Sequence, residues 1–341
     1  MISDLVEKVK RKENLSKEET INAFDEIMSG KIRTDELADF LQALAEKGEV
    51  IDELLGAVCS MKKVVAKVEP VIDGELLDIV GTGGDKKSSV NVSTASAIVC
   101  ASAGAIIAKH GNRSVSSSSG SADVLEALGV NIELNNKQNK KLIEKIGIAF
   151  LFARKHHPAM KYAAEARQKL GIKTIFNLIG PLTNPADAKT IVLGVYDEEL
   201  AKKFANVLAE LKLEHALVVH GKDGFDEISV CSESIVYDIK NDQIETYEIS
   251  PEQFVLTRAD ENALVVSGAK DSASKILAVF NGEKNAVRDV ILLNSGAGLY
   301  ANGKVESIEE GVKLAAECID SGKTKQVLDL LISESNKYSI L

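Results

Sequence analysis

The sequence has no excess of positive charge, no long apolar run, no metal-type cysteine spacing and no internal repeat. Its formal net charge is −10 at pH 7, which argues against a sequence-independent grip on nucleic acid or an anionic membrane. An acidic chain can still hold a small polyanion where backbone N–H groups, a few cations and a metal line the site. The four cysteines, Cys59, Cys100, Cys231 and Cys318, are scattered in apolar or strand-like settings. They read as buried free thiols of a reducing compartment. The longest uncharged run, Val90 to Ala108, is broken by Asn91, Ser93, Thr94, Ser96, Ser102 and Gly104. It is too polar for a spanning helix, which needs roughly 20 apolar residues. Met1 to Glu13 is charged throughout and carries no secretory pattern. A soluble, cytoplasmic protein is expected. With 45% hydrophobic residues in 341, the chain can fill one large core or two unequal ones.

Residues 1–67 carry helical periodicity and no strand pattern. Ser16 followed by Glu19 is a capping box, Ala23, Phe24, Ile27 and Met28 share a face, and Gly30 is the stop. Thr34 is expected to cap the next helix, with Leu37, Phe40, Leu41 and Leu44 inward and Gly48 ending it. A third pattern runs from Ile51 to Val65. Glu69 to Gly74 is a hinge punctuated by Pro and Gly. From Leu76 onward short apolar runs at 76–80, 105–108, 148–153, 190–195 and 216–220 alternate with helical patterns, including 138–147 and 198–211. Residues 234–239 and 243–249 flank Asn241-Asp242 as an antiparallel hairpin. Later helices are expected at 271–280 and 308–318. The fold class is α/β: a small all-helical subdomain at 1–67, then a larger domain at 74–341 with a mostly parallel sheet flanked by helices.

Gly81-Thr82-Gly83-Gly84-Asp85 follows the strand-like Leu76 to Val80, and Asn91-Val92-Ser93-Thr94 opens a helix running to Ala103. Glycines there permit a tight turn. A strand, a glycine loop and a helix N-terminus aim several N–H groups at one point, which suits phosphate. The loop matches neither of the two familiar nucleotide fingerprints. By itself it reads equally well as a plain strand-to-helix turn. Lys109-His110-Gly111-Asn112-Arg113 follows a second strand-like run, and a serine-rich polar loop, 114–123, leads to a helix at 124–128. Asp226-Glu227 lies in a loop after the run at 216–220, where adjacent carboxylates can serve a hard divalent ion. Bare, such a pair is more often a solvated surface feature.

These motifs, together with His157-Pro158-Ala159-Met160-Lys161, Arg167 and the run Phe176 to Pro185, resemble the anthranilate phosphoribosyltransferase family in order and over most of the chain. The resemblance implies transfer of a phosphoribosyl group from phosphoribosyl pyrophosphate to anthranilate, with release of pyrophosphate, in tryptophan biosynthesis. It assigns the donor to Gly81, Thr82, Gly83, Gly84, Asp85, Ser89, Asn91, Ser93, Thr94, Lys109 and Ser121 or its serine neighbours. Anthranilate falls to Gly81, His110, Asn112, His157, Arg167 and Pro181, with Arg167 as the bidentate carboxylate partner. Magnesium falls to Ser93, Asp226 and Glu227. His110 is implied as a positioning group.

The resemblance also implies that about 159–182 completes the helical subdomain, with hinges near 68–74 and around 157–185. Closure would then bring Arg167's ligand to the glycine loop. A homodimer through the N-terminal helices is implied as well. The chain departs from the family pattern at Ser114, Arg154, Lys173 and Lys86-Lys87; the two lysines read as solvated. Two alternatives remain: a pyrimidine nucleoside phosphorylase, and an inactive nucleic-acid-binding relative.

Overall fold

A computed structural model describes residues 2–85, 87–113 and 120–338. In chain order the main elements are α1 (Ile2–Lys10), α2 (Lys17–Met28), α3 (Thr34–Lys47), α4 (Ile51–Val64), β1 (Leu76–Gly81), α5 (Val92–Ser102), β2 (Ile106–Gly111), α6 (Ser121–Ala127), α7 (Asn136–Ile146) and β3 (Ile148–Phe152). Then come α8 (Ala153–His156), α9 (Lys161–Leu170), α10 (Ile175–Ile179), β4 (Thr190–Gly194), α11 (Glu198–Glu210), β5 (His215–Gly221), β6 (Ser234–Lys240) and β7 (Gln243–Ile249). Four helices close the chain: α12 (Ala269–Phe280), α13 (Ala286–Ala301), α14 (Ile308–Asp320) and α15 (Lys323–Asn336). The chain divides into two units. One comprises residues up to Lys67 with Arg154–Pro185; the other comprises Val68–Ala153 and the residues from Ala186 onward.

In the helical unit the capping box at Ser16 and Glu19 forms, with the Ser16 hydroxyl accepting from the Glu19 N–H at 3.2 Å and Glu19 answering the Ser16 N–H at 2.8 Å. Thr34 does not cap α3. The extended residue before the helix is Arg33, and Thr34 stands inside the first turn, its hydroxyl donating to Glu165 at 3.0 Å. Capping needs a non-helical backbone, and here that position falls one residue earlier. Phe24 packs on Phe40 and on Phe176, with ring centroids 6.4 and 5.4 Å apart. This aromatic row joins the N-terminal helices to the returning segment. Glu53, wholly buried, ties two backbone amides and one side chain: it accepts from Leu15 N–H at 2.9 Å, Val50 N–H at 3.0 Å and the Lys47 ammonium at 3.0 Å.

The second unit is built on a seven-stranded sheet in the order β3-β2-β1-β4-β5-β6-β7. The pairings among the first five strands of that order are parallel, whereas β5–β6 and β6–β7 are antiparallel. Asn241 and Asp242 turn the final hairpin with φ of 52° and 61°, the left-handed pair a two-residue connection needs. Strand order reverses between β1 and β4. At such a switch point the chain leaves the two strand ends in opposite directions and opens a crevice at their carboxyl edge. α13 packs against α14 and α5 and is buried on nearly every side.

Among the four cysteines, Cys100 and Cys318 are buried as expected; Cys59 and Cys231 are half-buried, and all four are free thiols. No described helix is long and apolar enough to cross a membrane.

Replacing Glu53 by Ala removes the acceptor of two amides and leaves Lys47 facing a buried void. The expected loss is about 3 kcal/mol, read as a lowered urea midpoint; a loss within a few tenths would show that the pair does not organise the helical unit.

Candidate active site

At the crevice, β1 ends in Gly81 and β4 in Gly194, with the Thr82 N–H donating to the Gly194 carbonyl at 2.9 Å. The loop after β5 presses into both ends. A Cβ on Gly81 would lie 2.6 Å from the Asp226 carboxylate, and one on Gly194 would lie 1.7 Å from the Asp226 carbonyl oxygen. At Gly194 the obstacle is backbone, so only glycine fits; at Gly81 a side chain would push the Asp226 carboxylate aside. The Asp226 carboxylate in turn accepts from the Gly83 N–H at 2.8 Å. Gly83 and Gly84 have φ of 64° and 91°, so the loop turns in the left-handed region that glycine enters without cost.

The helix that follows is capped by Asn91, whose side chain accepts from the Thr94 N–H at 3.1 Å. Ser272, on α12, accepts from the Asn91 N–H at 3.0 Å and fixes the cap from behind. Lys109, on β2, is buried; its ammonium donates to the Ile79 carbonyl at 2.5 Å and to the Ser93 hydroxyl at 3.2 Å. Burial holds its pKa below the usual lysine value, opposed by the nearby carboxylates of Asp78 and Glu227. The hydroxyls of Thr82 and Thr94 are buried without a hydrogen-bond partner. Two orphaned donors beside a buried ammonium and a glycine loop are what a bound polyanion would satisfy.

Opposite them stand Asp85, Asp226 and Glu227. Burial, then repulsion from Asp85, pushes the Asp226 carboxyl up to about 7, while the Gly83 N–H works the other way. Burial and the charge of Asp226 raise Glu227 well above the carboxylate range, against Lys109 and the Ser93 N–H. Asp85 is raised chiefly by burial. No three His, Cys, Asp or Glu side chains among the described residues already enclose a metal. Crowded carboxyls with hydroxyl neighbours nevertheless suit a hard divalent ion that keeps water and substrate oxygens in its sphere.

The structure therefore brings together Gly81 to Asp85, Asn91, Ser93, Thr94, Lys109, Asp226 and Glu227. Ser89 stands at the far end of the loop, bridged to Val265. The Ser121 hydroxyl lies 3.1 Å from where a Cβ on Gly111 would be. His110 is buried in β2 with its N–H given to Asp78 at 3.1 Å, and Asn112 follows the strand. Lys86 and Ser114 to Ser119, including the departure at Ser114, lie outside the described residues. Lys87 is not solvated: it pairs with Glu261 at 2.8 Å and lies over the Phe225 ring.

His157, Arg167 and Pro181 belong to the helical unit. Arg167, half-buried on α9, lies 5.6 Å over the Phe176 ring and donates to the Asn177 side chain at 3.5 Å. No described carboxylate pairs with it, and burial lowers its pKa. A half-buried guanidinium without an acid suits an anionic ligand. His157 is buried, and burial pushes its imidazole down to about 4 despite a hydrogen bond to the Thr183 backbone, so it is neutral at pH 7.

Two family models cover most of the chain: the glycosyl transferase family a/b domain over residues 73–325, and the helical bundle domain of the same family over residues 3–64. The anthranilate phosphoribosyltransferase of Acetivibrio thermocellus is 47% identical over 338 residues, 99% of this chain and 98% of that one. The chain belongs to this family. The Methanobrevibacter smithii member is 45% identical, with 98% of this chain and all of that one covered. The Thermus thermophilus anthranilate phosphoribosyltransferase superposes with a TM-score of 0.91 at 39% identity, covering 97% of this chain and 99% of that one. The Saccharomyces cerevisiae member, solved with PRPP and Mg, gives 0.90 at 27% identity, covering 98% of each chain.

Sequence reasoning missed Asp78, Gly194 and Ser272; Asn177 stood in the motif Phe176 to Pro185, though with no role given to it. A lone acid inside the apolar run Leu76 to Val80 was the available signal for Asp78. Gly194 and Ser272 carry none, because their role depends on a loop and a helix far along the chain.

Asp226 also sets a pH dependence. Its folded pKa is raised, so the folded state keeps the proton longer than the unfolded chain. Its contribution is therefore full below the ordinary carboxylate pKa and is lost as pH rises to about 7. Metal-free Asp226→Asn should match the wild type in melting temperature at low pH and exceed it at pH 8. A difference that stays constant with pH would refute the buried, proton-holding carboxyl.

Proposed function

We propose that the protein transfers the phosphoribosyl group of phosphoribosyl pyrophosphate to the amine of anthranilate, releasing pyrophosphate and giving N-(5-phosphoribosyl)anthranilate, a step of tryptophan biosynthesis. The observation that carries the reading is the set of unsatisfied buried hydroxyls, Thr82 and Thr94, beside buried Lys109 and the Gly81 to Gly84 loop.

In the reaction the bond between C1′ and the pyrophosphate oxygen breaks, and a bond from the arylamine nitrogen to C1′ forms on the opposite face. Positive charge gathers on the ribose ring while negative charge leaves with the pyrophosphate. Backbone N–H groups of the glycine loop, the Ser93 and Thr94 hydroxyls at the start of α5, and the Lys109 ammonium meet that departing charge with dipoles already in place. Asn91 keeps the first turn of α5 in register by capping it. Magnesium, when bound, neutralises pyrophosphate charge; Asp226 and Glu227, with the Ser93 hydroxyl, are the residues that would hold it. Ser89 and Ser121 flank this set as further donor contacts.

For the acceptor, Arg167 offers the two parallel N–H bonds that a carboxylate takes, stiffened by Phe176 beneath it. Neutral His157 and Pro181 are its companions in the helical unit; Gly81, His110 and Asn112 are the acceptor residues of the sheet unit. An arylamine acidifies once bonded to carbon, so no strong base is required. Orientation and leaving-group stabilisation supply the rate. The reading extends to a homodimer through the N-terminal helices and a cytoplasmic location.

Anthranilate fluorescence should fall when the protein is mixed with phosphoribosyl pyrophosphate and magnesium, and no phosphorolysis of uridine or thymidine should occur. The reverse pattern would favour a nucleoside phosphorylase. Arg167→Ala should raise the anthranilate KM about 10- to 100-fold with the donor KM unchanged; equal loss for both substrates would remove Arg167 from the acceptor site.

A further inference from the structure

The glycine loop is held at its near end by Gly83 and Asp226. Its far end is held by residues that none of the sequence motifs includes. The Ser88 carbonyl accepts from Val266 N–H at 2.8 Å, the Val90 N–H donates to the Leu264 carbonyl at 2.9 Å, and Ser89 forms an antiparallel bridge with Val265. Between the two anchors stands Lys87. Its amide N–H reaches the Asp85 carboxylate at 3.3 Å. Its ammonium meets Glu261 at 2.8 Å and lies 4.8 Å from the centroid of the Phe225 ring. Phe225 is buried and immediately precedes Asp226. The Lys87 side chain is only 19% exposed.

We propose that Lys87, with Glu261 and Phe225, is a clasp that fixes the glycine loop against the carboxylate loop, and that Lys87 positions the donor site rather than touching the donor. This rests on the reading of residues 81–94 as the donor site. The alternative role for a lysine here is a direct contact with pyrophosphate, which its place beside a phosphate loop would suggest. The geometry separates the two. The ammonium is already engaged by an acid on one side and an aromatic face on the other, both on segments distant in sequence. With the clasp closed, one cation joins the loop after β1, the loop after β5 and the segment at 261, so the spacing between the N–H donors and the paired carboxylates is set before substrate arrives.

The two roles predict opposite behaviour for Glu261. A clasp fails equally when either partner is lost. A substrate-binding lysine would be released by loss of Glu261 and bind the donor better. Steady-state kinetics of Lys87→Met, Glu261→Gln and the double variant should show the donor KM raised about fivefold in each single variant. The double variant should be no worse than either single, kcat should stay within about twofold, and the anthranilate KM should not move. Lys87→Arg should restore most of the loss, because a guanidinium can pair with the acid and lie on the ring. A Glu261→Gln donor KM that is unchanged or lower, while that of Lys87→Met rises, overturns the clasp. So do independent effects that multiply in the double variant, and so does no change in either single. Turnover by the wild type tests the proposed reaction separately, since the clasp is read only from ratios to that rate.

Discussion

Everything at the crevice depends on how closely the loop after β5 approaches the ends of β1 and β4. Asp226 sits where Gly194 could bear no side chain and where one on Gly81 would displace its carboxylate, and it takes the Gly83 N–H as its hydrogen-bond donor. That contact does two things at once. It pins the glycine loop in its left-handed turn, and it drives a carboxyl into a buried place beside Asp85 and Glu227. The cost of that crowding appears as raised carboxyl pKa values. A site that strains to hold negative charge without help is one that a cation relaxes.

The opposing half of the site is arranged for the other sign. Lys109 is buried with a carbonyl and a hydroxyl as its hydrogen-bond acceptors, and the Thr82 and Thr94 hydroxyls have no hydrogen-bond partner. Buried hydroxyls left unsatisfied carry a penalty that a bound polyanion removes. Donor groups on one side and carboxyls on the other, joined through Ser93, make a pre-arranged field for a leaving group that gains charge. The negative net charge of the whole chain is no obstacle, because the field that matters is local.

Much of this was legible in the sequence. The strands of the sheet show because parallel strands buried on both faces read as short apolar runs, and Asn241-Asp242 marks the hairpin by its turn chemistry. The glycine loop, Lys109 and Asp226-Glu227 show because they cluster in short motifs. What stayed hidden has a physical reason in each case. α13 is buried nearly all round, so its pattern has no polar face to reveal a period. Thr34 looks like a cap, yet the chain turns into the helix at Arg33. Lys87 looks solvated because nothing nearby in sequence discloses Glu261 or Phe225.

The most direct test is to locate the donor itself. A crystal structure with phosphoribosyl pyrophosphate and magnesium should place the pyrophosphate against residues 81–94, with the Thr82 and Thr94 hydroxyls hydrogen-bonded and metal density beside Asp226 and Glu227. Pyrophosphate bound elsewhere, with both hydroxyls still unpaired, would contradict the account.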